Sequence, residues 1–435
     1  MNNQQESIPK IGNYRWTIVA LVFFATTVNY LDRQVISLLK PILEKEFEWT
    51  ETDYSNIIIA FQLAYAIGLL GFGRIIDKIG TKLGYALSLT VWSFASIAHA
   101  FARSTFGFGA ARAALGLSEA GNFPAAVKTV AEWFPKKERA LATGIFNSGS
   151  NVGAILAPVA VPWIAVTWGW QEAFIVTGAI GLIWLIFWFI FYEVPDKQKR
   201  LRKSEYDYIH SDTEETNAGN PESVKWVRLL GYKQTWAFVF GKFMTDPIWW
   251  FLLFWLPSFL KSEYNMTGTQ VSLPLAVVYT MTVFGSIGGG WLSGFLIRKG
   301  WPVYKARKTS MLAFAICVVP VVTAQALGQI NPWIAVLVIG LAASAHQAWS
   351  ANIFTTASDM FPKKAVGSVV GIGSMAGAIG GILIARLAGV LLDHFKALGH
   401  IETGYSVMFI ISGFAYLTAW IVIHLLVPKM KPVEI

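Results

Sequence analysis

The sequence predicts an all-α membrane protein, a bundle of twelve spanning helices arranged as two pseudo-symmetric six-helix bundles. Three observations predict it. Of 435 residues, 54% are hydrophobic and 14% charged, with a mean hydropathy of +0.50, too apolar and too charge-poor for a soluble chain of this length. A spanning helix takes about 20 apolar residues and a short loop about 10 more, so the chain holds roughly twelve spans with little left over. Apolar runs of that length recur along the whole sequence and are interrupted by one long polar stretch, 193–233. A soluble enzyme is excluded. The single cysteine, Cys317, lies in an apolar run, which excludes a disulfide framework and a cysteine-built metal site.

Taken in order, spans are expected at roughly 16–39, 54–76, 83–103, 106–130, 140–166 and 171–192. Lys10 and Arg15 precede the first, and Glu44, Glu46, Glu48, Glu51 and Asp53 separate it from the second. Arg74, Lys78 and Lys82 follow the second span, and Lys136, Lys137 and Arg139 follow the fourth. The connecting stretch carries Lys197, Lys199, Arg200, Arg202 and Lys203, then a Thr/Glu/Asn/Gly/Pro run at 213–222, with a short amphipathic helix expected near 204–212. Later spans are expected at roughly 235–260, 271–297, 309–327, 332–357, 366–392 and 404–427, so the chain divides into 1–192, a linker 193–233, and 234–435. Arg298, Lys299, Lys305, Arg307 and Lys308, then Lys363 and Lys364, then Lys429 and Lys431 continue the alternation of basic loops. Loops rich in Lys and Arg stay in the cytoplasm, which places both termini and the linker there. The net charge of +9 is then a topological signal, and no nucleic-acid partner is needed to explain it. Residues 1–15 are polar and the first apolar run is long, so no cleavable signal is expected. Strand-length alternation is missing, which points to a helical bundle of an inner or plasma membrane rather than an outer-membrane barrel.

Charges inside the spans are the best site markers, because an ionisable side chain in lipid costs at least about 2.5 kcal/mol and faces the bundle interior. Arg33 lies late in the first span; Arg112, Glu119 and Lys128 lie along the fourth, with Arg112 and Glu119 on one face. Arg33 and Arg112 are the candidate carboxylate clamps, since a guanidinium stays charged and its planar fork matches a carboxylate. Asp32 and Glu119 are the candidate proton-coupling groups, with His346 and His99 as weaker competitors. Tyr30, Tyr65, Asn147, Ser150, Asn151, Gln347, Trp349 and Asn352 are the candidates for reading hydroxyls. Asp246, before Pro247, reads as the cap of a broken helix. Glycines around 285–290 and 371–381 permit close helix approach. Gly-Lys-Ser/Thr loops, nucleophile triads and His-Glu-x-x-His do not occur, so no enzyme, cofactor or metal is expected.

Gly73-Arg74-Ile75-Ile76-Asp77-Lys78-Ile79-Gly80-Thr81-Lys82 resembles the G-x-x-x-D-[RK]-x-G-x-[RK] loop of the major facilitator superfamily, which implies that superfamily's twelve-helix fold. Asp77 and Lys78 would then belong to a cytoplasmic gate, with Asp77 accepting from the N-terminus of a helix in the other half. In the corresponding segment 290–300, Gly294 stands where the acid would be, so that contact is expected to be one-sided. The segments Asn29–Arg33, Gly116–Pro124, Glu132–Arg139 and Phe146–Gly149, with Arg112, resemble the anion:cation symporter branch. That branch moves organic anions with protons or sodium. The segments 80–85 and 245–257 are most similar to its bacterial hexuronate transporters, while Asp32 is the acid typical of galactonate and vesicular-type members. The resemblance implies a sugar-acid anion, a hexuronate such as glucuronate or galacturonate or, as the alternative, a related hexonate or aldarate such as galactonate or glucarate or another organic anion. Protons, or sodium, are the other implied partners, within the lipid bilayer of a bacterial inner membrane, and a monomer is expected. An organophosphate or dicarboxylate antiporter would not need the acids Asp32 and Glu119, and a transporter-like sensor would carry a signalling extension.

Overall fold

The structure, a computed structural model, describes residues 11–49, 51–211, 226–266 and 269–434. Lys10 and the 213–222 run lie outside the described residues. In the first half α1 (Tyr14–Phe47), α2 (Glu51–Ile79), α3 (Thr81–Ala98), α4 (Thr105–Glu119), α5 (Asn122–Trp133), α6 (Lys136–Thr167) and α7 (Trp170–Phe191) follow one another. The connecting stretch holds α8 (Lys203–Ile209) and α9 (Trp226–Leu229). The second half holds α10 (Lys233–Tyr264), α11 (Thr269–Arg298), α12 (Val303–Val318), α13 (Ala324–Ile330), α14 (Pro332–Met360), α15 (Lys363–Ala397) and α16 (Ile401–Leu426). Among the described residues there is no strand.

Two expected spans are interrupted, and proline chemistry accounts for both. The fourth is split into α4 and α5 at Ala120–Gly121. Pro124, third residue of α5, has no N–H to offer the preceding turn, and the first turn of a helix is where that loss costs least. The ninth is split into α12 and α13 by a 3-10 stretch, Val319–Thr323, containing Pro320. By contrast α10 runs unbroken through Asp246–Pro247, so Asp246 caps no broken helix. Eight helices among the described residues are long and apolar enough to cross a membrane. The expected spans outside that set include the first, which carries Asp32 and Arg33, the interrupted fourth, and the seventh, which carries Lys242 and Asp246. Large apolar side chains such as Ile67, Phe94 and Val166 are exposed on the outer surface, where hydrocarbon rather than water satisfies them.

Within the first half α1 packs on α6, α2 on α4 and α3 on α7; within the second, α10 packs on α15 and α11 on α14. The two most extensive crossings between the halves are α6 on α11 and α2 on α15, with α14 on α6 and α15 on α5 beside them. Glycine makes both possible: a Cβ on Gly290 would stand 2.0 Å from the Ala140 carbonyl oxygen, and one on Gly371 2.3 Å from that of Leu69. Small residues let backbones approach where lipid provides no hydrophobic drive.

Both ends of the described chain lie on one face. Arg15 pairs with Glu138 at the start of α6, and Val433 N–H donates to the Met360 carbonyl at the end of α14. The linker helix α8 docks on this terminal face. Buried Glu205 accepts from the backbone N–H groups of Tyr14 and Arg15 at 3.1 and 3.0 Å, satisfying donors at the start of α1 that have no intrahelical partner. Tyr208 donates to Glu138 at 2.9 Å; burial and that carboxylate push its phenol well above the usual range, so it remains a donor.

Candidate functional site

A cavity lies between the halves, with Arg33 and Lys242 on opposite walls. On the first-half wall the Arg33 guanidinium sits between two rings, 4.7 Å from the centroids of both Tyr30 and Tyr65. Its Nε donates to Glu119 Oε2 at 3.1 Å and its Nη2 lies 3.0 Å from the same oxygen. Arg112 lies behind this pair, outside the lining, its guanidinium over Phe61 at 4.8 Å and donating to the backbone carbonyl of Arg33. Asp32, on the opposite side of α1 from the cavity, accepts from Ser96 Oγ at 3.0 Å.

Several fully buried polar atoms of this group have no hydrogen-bond partner in the protein: Asp32 Oδ2, Glu119 Oε1, and Arg112 Nε and Nη1. Buried polar atoms are normally satisfied by the protein or by ordered water. The packing of α4 on α2 brings the group together, since Gly116 rests against the Phe61 carbonyl, 2.3 Å from where a Cβ would stand.

On the opposite wall, sequence reasoning named His346 and Gln347 but missed Lys242 and its pairing with Asp246. Lys242 and Asp246, one turn apart on α10, pair at 2.8 Å, and both line the cavity with Trp249, Trp250 and His346. The i,i+4 spacing of opposite charges in an apolar run was the available signal. His346 stacks on Trp249 at 5.1 Å, and its Nδ1 is 2.5 Å from the Tyr416 hydroxyl. His99 lies away from the cavity, stacked on Phe174.

Of the other expected residues, Tyr30, Tyr65, Asn147, Ser150 and Gln347 line the cavity. Its closed end is made by Asn147 Nδ2, which donates to Gln347 Oε1 at 2.7 Å and lies 3.2 Å from Ser286 Oγ. Trp349 is outside the lining, edge-on to Tyr416. Asn352 donates to the carbonyls of Gly289 and Ala348 and so braces α14 on α11. Asn151 is buried beside the cavity, its Nδ2 without a protein partner.

Below that end, on the terminal face, Asp77 accepts from the backbone N–H groups of Gly367 and Ser368 early in α15, at 3.1 and 2.6 Å. Lys128 neutralises it at 3.0 Å. Lys78 is exposed and lines a groove between α2 and α15 with Arg74. In the second half the halves meet instead through Asp359, which is bonded to Arg307 at 3.0 Å and lies 3.6 Å from Arg139 of the first half, an ion-pair contact and not a bond to a helix N-terminus. Arg307 also donates to the Lys136 carbonyl at 2.7 Å.

A charged cavity inside a bundle of apolar helices is the architecture of a multi-pass membrane transporter. The chain belongs to the Major Facilitator Superfamily, whose family model matches residues 22–385. It is 31% identical over 428 residues to the hexuronate transporter of Escherichia coli (strain K12), covering 98% of this chain and 97% of that one. It is 35% identical over 284 residues to the galacturonate transporter of Dickeya chrysanthemi, covering 65% and 82% of the two chains. Among solved structures, the proton:xylose symporter XylE bound to 6-bromo-6-deoxy-D-glucose superposes with a TM-score of 0.73 at 16% identity, covering 96% of this chain and 97% of that one. That likeness is one of fold.

Proposed function

We propose that this protein imports a sugar acid, a hexuronate such as glucuronate or galacturonate, with protons, by alternating access across a bacterial inner membrane. The observation that carries the reading is Arg33, which stands on the cavity wall with its fork engaged by Glu119. A proton on Glu119 removes the competing charge and frees the guanidinium for the substrate's carboxylate, to which it presents two parallel donors. Charge counting supports the same coupling. Arg33, Arg112 and Lys242 balance Asp32, Glu119 and Asp246 when all six are ionised, so an entering monoanion leaves one negative charge uncompensated and one proton restores neutrality. Asp32 is the second proton site, linked to the first through Arg112. Tyr30, Tyr65, Asn147, Ser150 and Gln347 supply groups to meet sugar hydroxyls. The names carried by the relatives, hexuronate and galacturonate transporters, support this substrate class.

The bundles 1–192 and 234–435 move against each other about this cavity, with 193–233 as their tether. The terminal face is cytoplasmic by its basic loops, and the Asp77 and Asp359 contacts are the gate that opens towards it. Purified protein in proteoliposomes should accumulate a hexuronate when the outside is made acidic. Arg33→Ala should abolish uptake, and Arg33→Lys should restore only part of it because an ammonium lacks the fork. Equal uptake with and without the pH gradient would refute proton coupling, and normal uptake by Arg33→Ala would refute the clamp.

A further inference from the structure

α10 carries an ion pair that the proton cycle does not use. Lys242 is 5% exposed and Asp246 18%, both in the middle of a span. Two apolar residues would pack the same helix without removing two charges from water, so the pair is there for what enters the cavity. Its placement is specific. Gly377 of α15 stands behind the carboxylate, where a Cβ would come within 2.2 Å of Asp246 Oδ2. The Lys242 ammonium rests 4.1 Å from the Phe354 ring centroid, which covers one of its sides and turns the other to the cavity.

A carboxylate on the wall of an anion site repels the ligand unless it meets a part of the ligand that can donate. Asp246 lines the same cavity as Tyr30 and Tyr65, the rings that flank Arg33. The cavity thus offers a guanidinium on one wall and an ammonium–carboxylate couple on the other. We infer that the Lys242–Asp246 couple is a hydroxyl-reading subsite that selects monoanionic sugar acids against dianionic aldarates. The inference rests on the sugar-acid reading above. A hydroxyl both donates and accepts, so one sugar hydroxyl can donate to Asp246 and accept from Lys242 together. A second carboxylate only accepts; placed there, it faces Asp246 with no proton between them and leaves that oxygen unpaired.

The test measures binding of galacturonate, whose far end is a ring hemiacetal hydroxyl, and of galactarate, an open chain whose far end is a second carboxylate, to the full-length protein in lipid nanodiscs at neutral pH by calorimetry. The parent should bind galacturonate at least about tenfold more tightly, and Asp246→Asn should shrink that preference by about tenfold, weakening galacturonate and strengthening galactarate. Should the single variant fail to fold around an unbalanced Lys242, the neutral double variant Lys242→Gln/Asp246→Asn reads the same ratio and should also lose the preference. An unchanged ratio in a variant that still binds galacturonate overturns the subsite. A parent that binds galactarate equally well overturns it too. If the parent binds neither acid, the sugar-acid reading fails and the subsite falls with it.

Discussion

At the scale of residues, Glu119 and Asp32 differ in what their protons would do. Glu119 touches Arg33, so its ionisation decides whether the clamp is free, whereas Asp32 is bonded to Ser96 on the far side of α1. Glu119→Gln fixes the neutral form without changing shape. It should retain substrate exchange across the membrane, because exchange needs only the loaded carrier, and lose uphill accumulation driven by a pH gradient. Asp32→Asn should also lose accumulation. Paired counterflow and gradient-driven uptake assays check both, and accumulation at the parent level in both variants would move the coupling to His346. These charges were legible in the sequence because burying a charge in lipid is costly enough to make each one conspicuous. Lys242 and Asp246 were equally conspicuous by that measure, but Pro247 drew the reading of Asp246 towards a helix break. Trp349 and Asn352 were chosen on residue type alone; which face of α14 meets the cavity is set by the crossing with α11, and no local pattern encodes that.

At the scale of elements, the arrangement depends on where helices stop and where they touch. Apolar length made eight of the twelve expected spans legible as membrane-crossing helices, and α8 was legible from its amphipathic stretch. The breaks at Gly121 and Pro320 were not, since Pro158, Pro162, Pro247 and Pro274 lie in helices that continue; a proline interrupts only where neighbours supply the lost bond. The α6–α11 crossing yields a direct expectation. Gly290 lies against backbone rather than a flexible side-chain tip, with the Ala140 carbonyl carbon 2.5 Å from where a Cβ would stand, so Gly290→Leu cannot be absorbed by a rotamer change. The variant should be driven open on the terminal face. With Cys317→Ser and Ser350→Cys added, labelling of the cavity cysteine by an impermeant thiol reagent from that face should rise roughly tenfold over the same background with Gly290 intact. Unchanged labelling would mean that the crossing does not control access.

At the scale of the whole molecule, both ends of the described chain and the linker helix share one face, and the proposed orientation puts that face in the cytoplasm. Tags fused before Met1, after Ile435 and within 213–222 should react with impermeant probes only in inside-out vesicles, and a tag in 41–48 only in right-side-out ones; any crossed result overturns the orientation. Glu193, beyond the end of α7, has its acidity strengthened by its bond to Lys82, so this edge of the linker stays ionically tied at neutral pH. The capping of α1 by Glu205 bears on how the protein is made. The donors at Tyr14 and Arg15 wait for a partner synthesised 191 and 190 residues later. Ribosomal order therefore separates insertion of the first helix from completion of its amino end, and the first six spans reach their finished form only once the linker has emerged. Glu205→Ala should leave every span inserted and the carrier full length, while hydrogen–deuterium exchange at residues 14–16 accelerates at least about tenfold.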